Sequence, residues 1–184
     1  MTGKSQKREL AQFNFGVMSV PEDHPDAREF VEALDPINAL AARSPGFVWQ
    51  LPDDECTAYF MPGGAPLMMV NLSVWESVES LRAFTLEGPH LDFLKRRREW
   101  FVRQTRPHFC MWWVEAGHRP GPDEARERLE HLRLHGPTAT AFTFSHSFPP
   151  GTDPALELAE PGDRPRCPFG IGAQPVGPAT HRTG

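Results

Sequence analysis

Residues 67–75 read LMMVNLSVW, and their strict alternation decides the fold. Successive side chains on a strand point to opposite faces, so Met68, Val70, Leu72 and Val74 share one side. Met69, Asn71, Ser73 and Trp75 share the other. The first set predicts a plain apolar face for packing helices. The second mixes apolar bulk with hydrogen-bonding groups, as the wall of a ligand cavity does. Amides placed there need partners, because a buried unpaired polar group costs about 1–3 kcal/mol.

Upstream, ELAQFNFGVMSV at residues 9–20 predicts a first strand, split into Phe13, Phe15 and Val17 against Gln12, Asn14 and Gly16. Asp26 is the expected N-cap of a helix whose apolar face carries Phe30, Val31, Leu34, Ile37 and Leu40. Pro36 is expected to kink or shorten it, and Ser44-Pro45-Gly46 to end it. Phe47–Leu51 reads as a second strand, and Pro62-Gly63-Gly64 as the turn into residues 67–75.

Downstream, Ser77 caps a helix that buries Leu81 and Phe84. Gly88-Pro89 interrupts it, and helical spacing resumes from His90 to Val102. His108–Glu115, HFCMWWVE, predicts a fourth strand. A charged helix runs from Pro122 to Gly136-Pro137, and Ala141–Phe148 reads as a short fifth strand.

This order, βαββαβ with an added helix and strand, predicts an α+β domain of ferredoxin-like type over residues 1–148. Both helices of such a unit lie on one face of the sheet. The other face must be covered, and a second copy of the chain is the expected cover, giving a homodimer. Residues 149–184 offer proline or glycine every few positions and predict a mostly disordered tail.

The net charge of −5 over 184 residues argues against nucleic-acid binding by bulk charge. No run approaches the ~20 apolar residues of a membrane-spanning helix, and MTGKSQKRE lacks the apolar core of a signal peptide. A soluble, cytoplasmic protein without a membrane partner is expected. Cys56, Cys110 and Cys167 are odd in number and widely spaced, fitting neither a disulfide framework nor a zinc site.

Asn14 and Asn71 fall on what alternation makes the same inner face. Either they satisfy each other and nearby backbone, fixing register, or a ligand satisfies them. Trp112 and Trp113 are neighbours on a strand, so one enters the helix-packing core and the other faces the opposite way. His90 is either a general base at a pocket mouth or a partner for the free carbonyls at the helix break. His108 reads as a rim residue, and His118 and His135 as turn residues beside Gly117 and Gly136. No pair of histidines has metal-site spacing. In the run Lys95-Arg96-Arg97-Arg98 the first two are expected in solvent, with Arg98 as a candidate for an anionic substrate.

Residues 70–94, VNLSVWESVESLRAFTLEGPHLDFL, are similar to the Trp-Glu-Ser…Pro-His segment of the antibiotic biosynthesis monooxygenase superfamily of dimeric α/β barrels. RRREWF, MWWVEAGHRP and EHLRLHGPT…AFTF resemble an uncharacterised bacterial domain-of-unknown-function family of that superfamily. The resemblance covers about residues 8–148. It implies a dimeric α/β barrel and, by the example of its cofactor-free members, oxidation of aromatic anthrones to quinones in secondary metabolism. Those members use a strand-one asparagine and a strand-three asparagine, with a tryptophan four residues after the latter. Asn14, Asn71 and Trp75 match, and His90 joins them as candidate acid or base. Gln12, Ser73, Met69, Trp112, Trp113 and Arg98 are the candidate substrate-binding residues of a small hydrophobic molecule. No cofactor is implied by that chemistry, although some barrels of the superfamily bind haem through an axial histidine, for which His90, His108, His118 and His135 are candidates. An isomerase or cyclase using the same pocket and a non-catalytic ligand-binding protein are the rival readings.

Overall fold

Strand β1 (Arg8–Val17) lies inside the sheet, antiparallel to β3 (Met68–Trp75) on one side and to β4 (Phe109–Glu115) on the other. A short β2 (Phe47–Gln50) joins the far edge of β3, so the order is β2-β3-β1-β4. Helix α1 (Arg28–Arg43) links β1 to β2, α2 (Val78–Leu86) and α3 (Pro89–Arg96) lie between β3 and β4, and α4 (Pro122–His135) follows. This α+β arrangement around a four-stranded antiparallel sheet is consistent with a ferredoxin-like fold. The structure, a computed structural model, describes residues 7–52, 55 and 68–153. The expected turn at Pro62-Gly63-Gly64 and the tail beyond residue 153 lie outside the described residues.

Local chemistry sets most element ends. Ser77 Oγ accepts the Ser80 amide N–H at 3.1 Å and starts α2. Gly88, at φ +75°, makes the break that Pro89 then turns into the first position of α3. At α1 the expected cap is replaced: a 3-10 turn over Pro25–Ala27 precedes the helix, and His24 Nδ1 accepts the Asp26 N–H at 3.2 Å. Pro36 sits within α1 without ending it. Pro36 and Glu32, whose carbonyl loses its helical partner, are both exposed, so water can serve the orphan oxygen. The helix expected to reach Val102 stops at Arg96. A 3-10 turn over Arg97–Glu99 follows, and the Val102 N–H bonds to the Val17 carbonyl at 2.8 Å.

The alternation of the strands holds, but the helices occupy the opposite face from the one expected. Ala41 of α1 and Val78 and Leu81 of α2 pack with Leu10, Trp75 and Met111, on the half-polar side. The plain apolar side, with Phe13, Leu72, Val74, Cys110 and Trp112, is buried with Ala125, Leu129 and Leu132 of α4. The reason is that alternation sorts residues by face without saying which helix each face meets. The three α4 residues fall at i, i+4 and i+7, one apolar stripe on an otherwise charged helix, and that stripe suits a flat hydrocarbon surface. The half-polar face, on which a second copy was expected, thus meets α1 and α2 of the same chain, and α4 lies over the apolar face at β1 and β4.

No fifth strand forms among the described residues. Phe142 makes one bridge to Met111, with N–H···O distances of 2.8 Å in both directions, and tight pairings at Thr138–Ala141 and Thr143–His146 fold the segment before and after it. Its aromatic side chains instead wrap onto the half-polar face: Phe144 stacks on Phe109 at 5.1 Å, and Phe142 packs near Trp113.

Candidate functional site

Three cross-strand rows build the half-polar face. Trp75, Leu10 and Trp113 form the first, Ser73, Gln12 and Met111 the second, and Asn71, Asn14 and Phe109 the third. Met69 opposite Gly16 lies beyond them. Because β1 and β3 are the two inner strands, the polar residues occupy the middle of the sheet.

Burial changes along the rows. Trp75, Ser73 and Gln12 are sealed, at 1%, 3% and 3% exposure. Asn71, Asn14, Met69 and Gly16 are half-buried. Helix α1 accounts for part of this. Only Ala41, near its C-terminal end, is fully buried, whereas Phe30, Val31, Leu34, Ile37 and Leu40 remain half-buried. At the N-terminal end of the helix Phe30 packs on Trp100 and Phe101. Beside the opening the Phe101 ring comes so close to Gly16 that an added Cβ would meet it at 2.6 Å.

The sealed groups are linked by hydrogen bonds. Trp75 Nε1 donates to Ser73 Oγ at 3.0 Å, and Ser73 Oγ donates to Asn71 Oδ1 at 3.3 Å. Gln12 Nε2 donates to Ser73 Oγ at 2.8 Å and also to Asn71 Oδ1. Asn14 Nδ2 donates to Gln12 Oε1 at 3.2 Å. Both N–H groups of Asn71 and one N–H and the carbonyl of Asn14 are left without a partner among the described residues. The asparagines thus meet through Gln12 rather than directly, and their unused groups belong to the accessible end.

Trp75 does not offer its face to a ligand. Phe84 stacks on it at 5.2 Å and Phe47 meets it edge-on at 5.3 Å. His90 lies against the same Phe84, 4.9 Å between ring centres. Its Nδ1 is 3.1 Å from the Thr85 carbonyl oxygen, at the last turn of α2. A carbonyl only accepts, so Nδ1 carries the proton and Nε2 is the basic nitrogen. Burial pushes the His90 pKa down, partly opposed by that hydrogen bond, which keeps the ring neutral at neutral pH.

The other candidates divide. Trp112 is on the α4 side, fully buried, with Nε1 donating to Glu124 Oε1 at 2.8 Å. Trp113 is on the helix side with Nε1 donating to the Phe148 carbonyl at 2.7 Å. It lines a cleft of about 480 Å³ with Arg8, Ser77, Phe148 and Pro149, among others, which the Gln12–Asn71 group does not line. Arg98 is exposed in the turn after α3. Arg96, expected in solvent, is exposed there and pairs at the surface with Glu29 and Glu99. Burial also lowers the pKa of His108, whose ring lies 6.3 Å from Phe15. His118 Nε2 is 2.7 Å from Glu124 Oε2, and His135 lies against His131. Among the described residues no group of three or more His, Cys, Asp or Glu could hold a metal ion.

Phe101 was missed as a site neighbour, although a glycine within an inner strand is the usual signal of a close approach.

Residues 9–157 match a family model described as "Domain of unknown function (DUF3291)". The chain is also similar to the crystal structure of SnoaB, a cofactor-independent oxygenase from Streptomyces nogalater, at 19% identity and a TM-score of 0.38. That alignment covers 62% of this chain and 97% of that one. No curated protein matches the sequence.

Proposed function

The chain belongs to the DUF3291 family, and from that premise we propose that it is a cofactor-independent, monooxygenase-type enzyme for a hydrophobic aromatic or polyketide-type small molecule. The observation that carries this reading is the asparagine pair. Asn14 and Asn71 face each other across the two inner strands, half-buried beside the sealed Gln12, Ser73 and Trp75. Amide N–H groups fixed in a largely dry wall stabilise an oxygen anion better than mobile water does.

A phenolic substrate that loses a proton at such a wall becomes an enolate or phenolate and brings its own reducing electrons. A ring CH2 conjugated to that oxyanion reacts with dioxygen to give a ring carbonyl and one water. Four electrons pass from carbon to oxygen, so neither flavin nor metal has to supply them. His90 Nε2, unprotonated in the tautomer selected by Thr85, is the proton acceptor in this reading. Met69, Phe84, Phe101 and Phe109 supply the apolar surroundings that keep water from competing.

Oxygen uptake with dithranol, an anthrone, tests the proposal. Asn71→Ala is expected to lower kcat roughly 10²–10³-fold, the usual cost of one oxyanion donor. Unchanged turnover would rule out the oxyanion role. Dithranol bound without oxygen uptake would make the chain a binding protein instead.

A further inference from the structure

The fourth row of the half-polar face, Met69 opposite Gly16, has no side chain of its own on β1. The Phe101 ring stands there instead. Glycine weakens an inner strand, and Gly16 has no positive φ that would call for it. What the missing Cβ provides is room, since one placed at position 16 would meet ring carbons of Phe101 at 2.6 and 2.7 Å. The backbone fixes the ring from both sides. Met18 bridges to Phe101, the Val102 N–H donates to the Val17 carbonyl at 2.8 Å, and the Ser19 N–H to the Trp100 carbonyl at 2.8 Å. Phe30 of α1 meets the ring edge-on at 4.9 Å. The asparagines therefore lie between two closed rows, the sealed Gln12 and Ser73 on one side and Phe101 on the other. Successive rows are two residues apart, about 7 Å along a strand.

We propose that Phe101 is a specificity-determining residue that narrows the asparagine site to a slot for flat, fused-ring molecules lying with their plane across the strands. This rests on the proposed pocket and adds the shape of its substrate. A ligand oxygen at Asn14 and Asn71 leaves one row of space toward Phe101, so fused rings cannot extend along β1. They extend across the strands instead, toward Phe109 on β4, which stacks on Phe144. A flat ligand then turns its face to Phe101, where aromatic rings gain from offset-stacked or edge-to-face contact. A molecule with carbon substituents above and below its plane meets the Phe101 ring before its oxygen reaches the amides.

The test uses the full chain without oxygen and two probes, dithranol and its 10,10-dimethyl derivative, with dissociation constants read from tryptophan fluorescence quenching. Both probes carry the same phenol and carbonyl groups, and the derivative adds one methyl on each side of the ring plane. The parent should bind dithranol more tightly by about 10–200-fold, the range that one carbon more or less is worth in an apolar pocket. Phe101→Ala should erase most of that ratio, chiefly by strengthening the derivative's binding, and Phe101→Leu should erase less of it. A residue that only braces the fold would weaken both probes alike and leave the ratio where it was. Equal binding of the two probes to the parent, or a preference for the derivative, overturns the inference. So does an unchanged ratio in Phe101→Ala, or in Phe101→Leu if urea unfolding shows that the alanine variant does not fold. If neither probe binds the parent, the pocket reading itself fails, and this inference with it.

Discussion

At the residue scale His90 links stability to the proposed chemistry. Its folded pKa lies below the usual histidine value of about 6.5 because burial disfavours the charged ring. As pH falls from about 6.5, the unfolded chain therefore takes up this proton first, and unfolding gains free energy. His90 costs stability progressively on the acid side and costs nothing well above that pH. Replacing it with Gln, which has no such proton to gain, should flatten the acid limb of melting temperature against pH. His108 and His131 are shifted the same way by burial, so a residual acid slope will remain. A limb as steep in His90→Gln as in the parent would show that the ring is not buried as a neutral group. With dithranol, His90→Gln should also remove the acid-side fall in oxygen uptake together with most of the rate.

At the scale of elements, Gly16 shows how one strand position admits its neighbour. Strand β1 passes under the segment after α3, and the Phe101 ring occupies the volume in which a Cβ at position 16 would sit, with ring atoms at 2.6 and 2.7 Å. Phe101 is itself held edge-on by Phe30 of α1 at 4.9 Å. Gly16→Ala should therefore push the ring toward α1 and destabilise the protein by about 1–3 kcal/mol, the ordinary cost of overpacking. Restoring the room with Gly16→Ala plus Phe101→Leu should recover part of it in urea unfolding; strictly additive losses would mean the two positions do not compete for space. The same region shows what a sequence can and cannot disclose. Strands β1, β3 and β4 were legible because alternation is local, as were Ser77 as a helix start and Gly88 and Gly136 as stops. The end of α3 was not, because Leu91, Leu94 and Phe101 keep helical spacing while the backbone leaves the helix at Arg96 to bond with Val17. The grouping of Gln12, Asn14, Asn71 and Ser73 followed from alternation, whereas the burial of Trp75 depends on Phe47 and Phe84, from two other elements.

At the scale of the whole molecule, the two faces of one sheet are given different work. The half-polar face meets α1 and α2 and stays partly open at the asparagines. The apolar face is covered over β1 and β4 by α4, which is held from two directions. Glu124 takes the Trp112 indole N–H at 2.8 Å and lies 2.7 Å from His118 Nε2, while Leu129 and Leu132 enter the core below. Which helix would cover which face was illegible, since both faces carry enough hydrocarbon to bury and only the three-dimensional path after β4 decides between them. The arrangement makes α4 the element that keeps Phe13, Leu72 and Trp112 from water. Leu129→Asp places a carboxylate in that core, where it must either be desolvated or drive the helix off the sheet, and loss of the leucine alone costs about 2–5 kcal/mol. The released face would be a contiguous apolar surface of the kind that associates with itself. In sedimentation velocity, Leu129→Asp should therefore form larger species than the parent as concentration rises, while the exposed-face control Leu134→Asp, at a residue 73% exposed, should match the parent. If Leu129→Asp keeps the parent's sedimentation at every concentration and unfolds in urea at the parent's midpoint, then α4 is not the cover that this packing requires.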